Sequence, residues 1–291
     1  MTAHRPPAAQ VAESVADVRA AVAAARQAGH TVGFVPTMGA LHAGHVSLIE
    51  RARAECGFVA ASIFVNPTQF GPNEDFSQYP RPRERDLELC RNAGADLVFY
   101  PTVETMYPTG HRTFVEVSGL SDMLEGKIRP GHFRGVATVV TKLFLIVLAD
   151  QAYFGQKDYQ QQLLIRVMTR ELNIPTEIVT CETKRDPDGM AMSSRNAYLA
   201  PAERRAGLAL SQALQLAEQL LVGGERDVLR VEAAMRSHIE ATLGAKLDYA
   251  VIVHPETLHE LTVAEPEMVA LIAARFGTTR LIDNQILRLP R

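Results

Sequence analysis

Residues 31–56 read "TVGFVPTMGALHAGHVSLIERARAEC". "TVGFVPT" is a short, continuous apolar run and reads as a buried strand. From His45 to Cys56, Val46, Leu48 and Ile49 alternate with Glu50, Arg51 and Arg53 at helical spacing. "PTMGALHAGH" joins the two, with two glycines and with His42 and His45 three residues apart at the helix mouth. Three readings are open: a metal site, a phosphate cradle and a plain turn. Zinc catalysis usually needs a third protein ligand, and the glutamate of H-E-x-x-H is missing. The helix start favours an anion, because it presents unpaired N–H groups and a partial positive charge. Gly39 and Gly44 allow close backbone approach. Imidazoles there can donate to phosphate oxygens, and a nearby anion favours their protonation.

Working outward, "FVAASIFVNP" is a second apolar strand, "RERDLELCRNAG" a helix and "DLVFYP" a third strand. Residues 11–28 read as a helix before the first strand, with Gly29 after its end. A helix over about 136–148, the strand "QAYFG", the helix "QKDYQQQLLIRVMTREL" and the strand "PTEIVTCET" continue the series. Alternating helices and continuously apolar strands predict an α/β fold with a parallel sheet covered on both faces. Ligands in such sheets bind beyond the carboxyl ends of the strands. After Thr183 the texture changes: helices over about 201–221 and 226–243, then "LDYAVIVH", "EMVALIAARF" and "TRLIDNQIL" as strands. The expected division is residues 1–183 as an α/β domain and 184–291 as a smaller α+β domain.

The chain has 291 residues and a formal net charge of −3, so no domain-wide basic excess points to nucleic acid. Cys56, Cys90 and Cys181 form no C-x-x-C pair, and an odd count argues for a reducing compartment. Residues 1–30 are Ala-rich, but Glu13, Asp17 and Arg19 interrupt them, so no signal peptide is expected. "VATVVTKLFLIVLA" is the most apolar run, is split by Lys142 and is too short to cross a bilayer. A cytoplasmic protein without membrane contact is the expectation.

Three more stretches carry chemistry. In "GQKDYQQ", Lys157 can reach a phosphate as a point charge, and Asp158 can accept from a ribose hydroxyl or cap the helix. "MAMSSRN" offers two hydroxyls and an arginine, suited to clasp a polyphosphate or to cap the next helix. "FVNPTQF" puts the amides of Asn66 and Gln69 at a strand end, where burial demands partners from protein or ligand. All lie at successive carboxyl ends of one expected sheet. One shared site accounts for them better than four independent turns.

Taken in order, "PTMGALHAGH", "SIFVNPTQF", "RPGHFRGVATVVTKLF", "FGQKDYQQ" and "DGMAMSSRN" resemble the pantoate–β-alanine ligases. The resemblance runs from about Val32 to the C-terminal "FGTTRLIDN". The H-x-G-H element alone is shared across a wider nucleotidyltransferase superfamily; the ordered set of five is much more specific. The resemblance implies a Rossmann-like first domain, a smaller lid domain and a homodimer. It implies ATP, pantoate and β-alanine as substrates, Mg²⁺ as the metal, and a pantoyl-adenylate intermediate.

Carried over by residue, the resemblance assigns Met38, Gly39, Ala40, Leu41, His42, Ala43, Gly44 and His45 to the ATP site. His42 and His45 hold the phosphates, and His45 matches the proton donor. Gly155, Gln156, Lys157 and Asp158 form a second ATP segment, with Lys157 as a catalytic phosphate ligand. Met192, Ser193, Ser194 and Arg195 form the phosphate-clasping loop. Gln69 and Gln161 match the residues that hold pantoate, with Asn66 beside them, and Asp86 matches an acidic position near the magnesium. Two departures stand out. Lys184 replaces a small apolar residue that contacts adenine through its backbone, and Arg85–Asp86 replaces consecutive acids. The alternatives are another H-x-G-H nucleotidyltransferase, such as a cytidylyltransferase, and a non-catalytic nucleotide binder. The clustered His42, His45, Lys157 and Arg195 argue against the binder. A tRNA synthetase is disfavoured because no basic RNA-binding extension is present.

Overall fold

The computed structural model describes residues 9–72, 74 and 76–289. The first eight residues of the segment read against a signal peptide lie outside this range. Contacts divide the chain into two units. One is Met1–Gly155 with Gln160–Cys181; the other is Gln156–Tyr159 with Glu182–Arg291.

The first unit runs β1 Gln10–Ala12, α1 Val15–Gln27, β2 Val32–Thr37, α2 Ala43–Glu55, β3 Phe58–Ile63, α3 Arg83–Asn92 and β4 Leu97–Phe99. It continues with α4 Val103–Met106, α5 Glu125–Ile128, α6 His132–Val147, β5 Gln151–Gly155, α7 Tyr159–Glu171 and β6 Glu177–Cys181. The six strands lie in the order β1-β4-β3-β2-β5-β6 and every pairing is parallel. This is an α/β Rossmann-like sheet.

The apolar strand runs are explained by burial on both faces. Phe34, Ala60, Leu97, Phe99, Ala152 and Phe154 pack with α1, α6 and α7. Their neighbours Val35, Val59, Ala61, Val98 and Tyr153 pack with α2 and α3 on the other side. Each such large side chain contributes roughly 1.5–3 kcal/mol on burial. Strand order reverses between β2 and β5, so the loop after β2 opens at the topological switch point, where ligands of such sheets bind.

Residues 11–28 do not form one helix. Gln10–Ala12 pairs with β4, and α1 starts only after Ser14, whose hydroxyl accepts from the Asp17 N–H. α6 begins at His132 rather than near Val136. Gly135 is inside it because a Cβ there would lie 2.3 Å from the Thr68 carbonyl oxygen.

The second unit contains α8 Pro201–Gly207, α9 Ala209–Val222, α10 Val228–Glu240, β7 Ala245–Val253, β8 Glu267–Phe276 and β9 Thr279–Arg288. Its three strands form one antiparallel sheet in the order β7-β8-β9. Ala250, Ile252, Met268, Ala270, Ile272 and Ala274 face α9 and α10 with the period of two that one-sided packing demands. The helix expected over about 201–221 is two helices, divided at Leu208.

Candidate active site

The loop after β2 is held in a costly shape. Thr37 Oγ1 donates to the Ser62 carbonyl at 2.7 Å and accepts from Gly39 N at 3.2 Å, tying the loop to the end of β3. Gly39 has φ +80° and Ala40 has φ +49°. A left-handed alanine persists only where its surroundings over-determine it. They do so through Asp86, whose Oδ2 and Oδ1 accept from Ala40 N and Leu41 N, each at 2.8 Å. Asp86 sits in the first turn of α3 and is 1% exposed. Burial raises its pKa above the ordinary carboxylate value, while the two N–H bonds pull the other way. A Cβ on Gly39 would meet Asp86 Oδ2 at 2.9 Å, so only glycine fits there.

The histidines complete the turn as caps. His42 Nδ1 accepts from Gly44 N at 3.1 Å and His45 Nδ1 accepts from His42 N at 3.4 Å, a reciprocal capping box at the start of α2. The ring centroids are 4.1 Å apart. Each Nδ1 is an acceptor, so the neutral ring carries its proton on Nε2.

Asn66 caps the 3-10 turn Pro67–Gln69 and is 1% exposed. Its Nδ2 donates to Gln69 Oε1 at 2.9 Å and to the Gly135 carbonyl at 3.2 Å. Its Oδ1 accepts from Thr68 N, Thr68 Oγ1 and the Tyr107 hydroxyl. That saturates the amide, so Asn66 orients Gln69 and has no capacity left for a small molecule in this arrangement. Gln69 points its Nε2 at Met38 Sδ, 3.1 Å away.

Gln69 is supported from behind by two residues outside the expected site, His132 and Arg129. His132 Nδ1 lies 2.9 Å from the Gln69 carbonyl, and Arg129 lies 3.1 Å from His132 Nε2. Arg129 also forms a forked ion pair with Glu74. Burial, with help from the Arg129 charge, lowers the His132 pKa to about 4. Burial pushes the Glu74 carboxyl up, but Arg129 pulls it further down, so its pKa is net lowered. The signal for this cluster was "RPGHFRG", which carries both Arg129 and His132.

Gln161 lies half-buried in the first turn of α7, and Gly155 ends β5. The other expected residues belong to the second unit. Lys157 Nζ lies 3.8 Å from Asp158 Oδ1 in the 3-10 turn Gln156–Asp158. Residues 184–195 begin as a hairpin, with Arg185 bridged to Ala191 and the Lys184 carbonyl accepting from Met192 N at 2.9 Å. Ser193 Oγ caps the 3-10 turn Ser194–Tyr198 by accepting from Arg195 N.

A family model described as pantoate-beta-alanine ligase matches residues 10–286. The chain belongs to the pantoate–β-alanine ligase family. As a member it is an enzyme, a ligase, and the match spans nearly the whole chain rather than the H-x-G-H element alone. The chain is 53% identical to the pantothenate synthetase of Moorella thermoacetica over 96% of its own length and 98% of the relative's. The pantothenate synthetase crystal structure from Thermus thermophilus superposes with a TM-score of 0.91 at 48% identity, covering 95% of this chain and 98% of that one. The ligase of Francisella tularensis, solved as a complex with beta-gamma ATP and β-alanine, gives a TM-score of 0.78 at 34% identity, covering 96% and 98%. Among the described residues no helix is long and apolar enough to cross a membrane.

Proposed function

We propose that the chain joins pantoate to β-alanine in two steps at the expense of ATP. In the first, a pantoate carboxylate oxygen bonds to the α-phosphorus and the bond to pyrophosphate breaks, leaving pantoyl adenylate. In the second, the neutral amine of β-alanine attacks the acyl carbon, AMP leaves and the nitrogen loses a proton, giving pantothenate. The observation that carries this reading is the histidine capping box. It holds two imidazoles at a helix start with Nδ1 as acceptor, which makes Nε2–H the donor in each neutral ring. Adenylation builds charge on the phosphate oxygens, and fixed donors lower that barrier without reorganising.

In this reading Met38, Gly39, Ala40, Leu41, Ala43 and Gly44 line the nucleotide beside His42 and His45. Lys157, Ser193, Ser194 and Arg195 contact phosphates, Asp158 lies near the ribose, and Gly155 and Gln156 complete that ATP segment. Met192 and the Lys184 backbone lie along the nucleotide. Gln69 and Gln161 hold pantoate. The name of the Francisella tularensis complex supports ATP and β-alanine as the small molecules. A homodimer in the cytoplasm belongs to the same proposal, the dimer from the resemblance and the compartment from the odd number of cysteines with no C-x-x-C pair.

Asp86 does not fit as a magnesium ligand, since its buried oxygens already hold the loop amides. Among the described residues no three His, Cys, Asp or Glu side chains are grouped to hold a metal ion. We therefore propose that Mg²⁺ enters on the phosphates of ATP, keeping water in its shell as that ion commonly does.

The test is AMP formation with ATP, pantoate and β-alanine, omitting each in turn, together with pyrophosphate–ATP exchange. Exchange with pantoate alone is expected. Exchange that needs β-alanine, in enzyme that forms AMP, overturns the free adenylate.

A further inference from the structure

The turn Gln156–Tyr159 clusters with the second unit, although Gly155 before it and Gln160 after it belong to the first. The fastenings are specific. Asn284, on β9 and 3% exposed, donates through Nδ2 to the Gln156 carbonyl at 3.0 Å and to the Lys157 carbonyl at 2.7 Å. Its Oδ1 accepts from Gln156 Nε2 at 3.3 Å. Every polar atom of this amide therefore serves one turn. The Tyr159 hydroxyl adds a bond to the Pro255 carbonyl at 2.9 Å.

The preceding residue grips a different segment. Asp283, 4% exposed, takes both ends of the Arg185 guanidinium, at 2.7 and 2.9 Å. The same guanidinium donates to the Gly189 carbonyl at 3.0 Å, so it ties the Arg185 strand to the turn of the 184–195 hairpin. Consecutive strand residues point to opposite faces. One dipeptide, the end of "FGTTRLIDN", is thus placed to hold two segments at once.

We propose that Asp283 and Asn284 are positioning residues, Asn284 for the phosphate-binding Lys157 and Asp283 for the Ser193–Arg195 arm. The proposal rests on the phosphate roles given above. Without Asn284 the two carbonyls lose their buried donor and the turn relaxes, moving Lys157 off its target. A misplacement of 1 Å can cost roughly 10²-fold in rate.

The test is a pair of double-mutant cycles on pantoate-dependent pyrophosphate–ATP exchange, in variants that keep a cooperative thermal transition. Asn284→Ala is expected to lower exchange at least tenfold, to raise KM for ATP and to leave KM for pantoate unchanged. In the Lys157→Ala background the same change is expected to cost less than about threefold, because its route of action is already gone. Asp283→Asn with Arg195→Ala is expected to behave alike. Equal losses in both backgrounds, or full activity of Asn284→Ala, overturn the positioning role. Full activity of Lys157→Ala overturns instead the phosphate role on which it rests. If Asn284→Ala does not fold, Asn284→Asp serves in the same cycle, since it keeps the shape but turns an acceptor toward the two carbonyls.

Discussion

The 38–45 loop and the 184–195 loop are built on opposite plans. The first combines its own helix caps with a single outside clamp, Asp86 on α3. Two successive residues take left-handed backbone, one buried carboxylate holds them, and the loop's own imidazoles cap the helix that follows. The second is a hairpin braced by partners far along the chain. Arg185 reaches Asp283, and Arg204 reaches Asp186 and Asp188. Those last pairs are partly exposed, and such pairs contribute about 1 kcal/mol at most. The contrast teaches that the first loop carries its own helix caps and needs one outside clamp, while the second is only as well placed as β9 makes it.

The sharpest test removes one proposed donor from the first loop and one from the Gln156–Asp158 turn, which Asn284 on β9 holds. His45→Ala and Lys157→Ala are each expected to lower pyrophosphate–ATP exchange by roughly 10²–10³-fold with the fold retained. Circular dichroism checks the fold, and near-normal exchange in either variant removes that residue from the chemistry.

A second prediction concerns the support behind Gln69. His132 has a pKa of about 4 in the folded protein, below its ordinary 6.5. Between those values the unfolded chain binds a proton that the folded chain refuses. The stability contribution is therefore complete above pH 6.5 and is lost as pH falls toward 4, by at most about 3 kcal/mol. Urea unfolding across that window is expected to show the loss, and His132→Gln is expected to reduce it. Equal pH slopes in the two proteins would show that His132 is not the group responsible.

Asp86→Asn separates a loop clamp from a metal ligand. It leaves an amide NH₂ facing a backbone N–H, at a cost of about 1–3 kcal/mol in stability. KM for ATP is expected to rise while the Mg²⁺ concentration for half-maximal rate stays unchanged. A large shift in that Mg²⁺ requirement with stability intact favours ligation instead.

The smallest effect divides the two duties of His42. His42→Ala loses the cap and is expected to cost about 1 kcal/mol in thermal or urea unfolding, whereas His42→Asn keeps it. Both are expected to slow exchange. If Asn restores exchange as well as stability, the ring serves only as a cap.

Much of the fold was legible because its signals are local. Continuous apolar strands announced a sheet buried on both faces, and glycines before an apolar-periodic run announced a turn from β2 into α2. Errors fell where a distant contact overrides the local pattern. Gln10–Ala12 looks like the start of a helix and becomes a strand because β4 offers a partner edge. The helix expected from about Val136 starts four residues earlier, at His132, and Gly135 within it leaves room for the Thr68 carbonyl.

By itself, then, the sequence determined the α/β class, the element order and the residue types gathered at strand ends, since periodicity and turn chemistry act over a few residues. Only the tertiary structure decided what the buried polar groups do. Asp86 holds Ala40 and Leu41 across 46 and 45 residues, Asn66 reaches Gly135 across 69, and Asn284 reaches Lys157 across 127. A buried donor or acceptor must find a partner, but the folded chain alone selects which one.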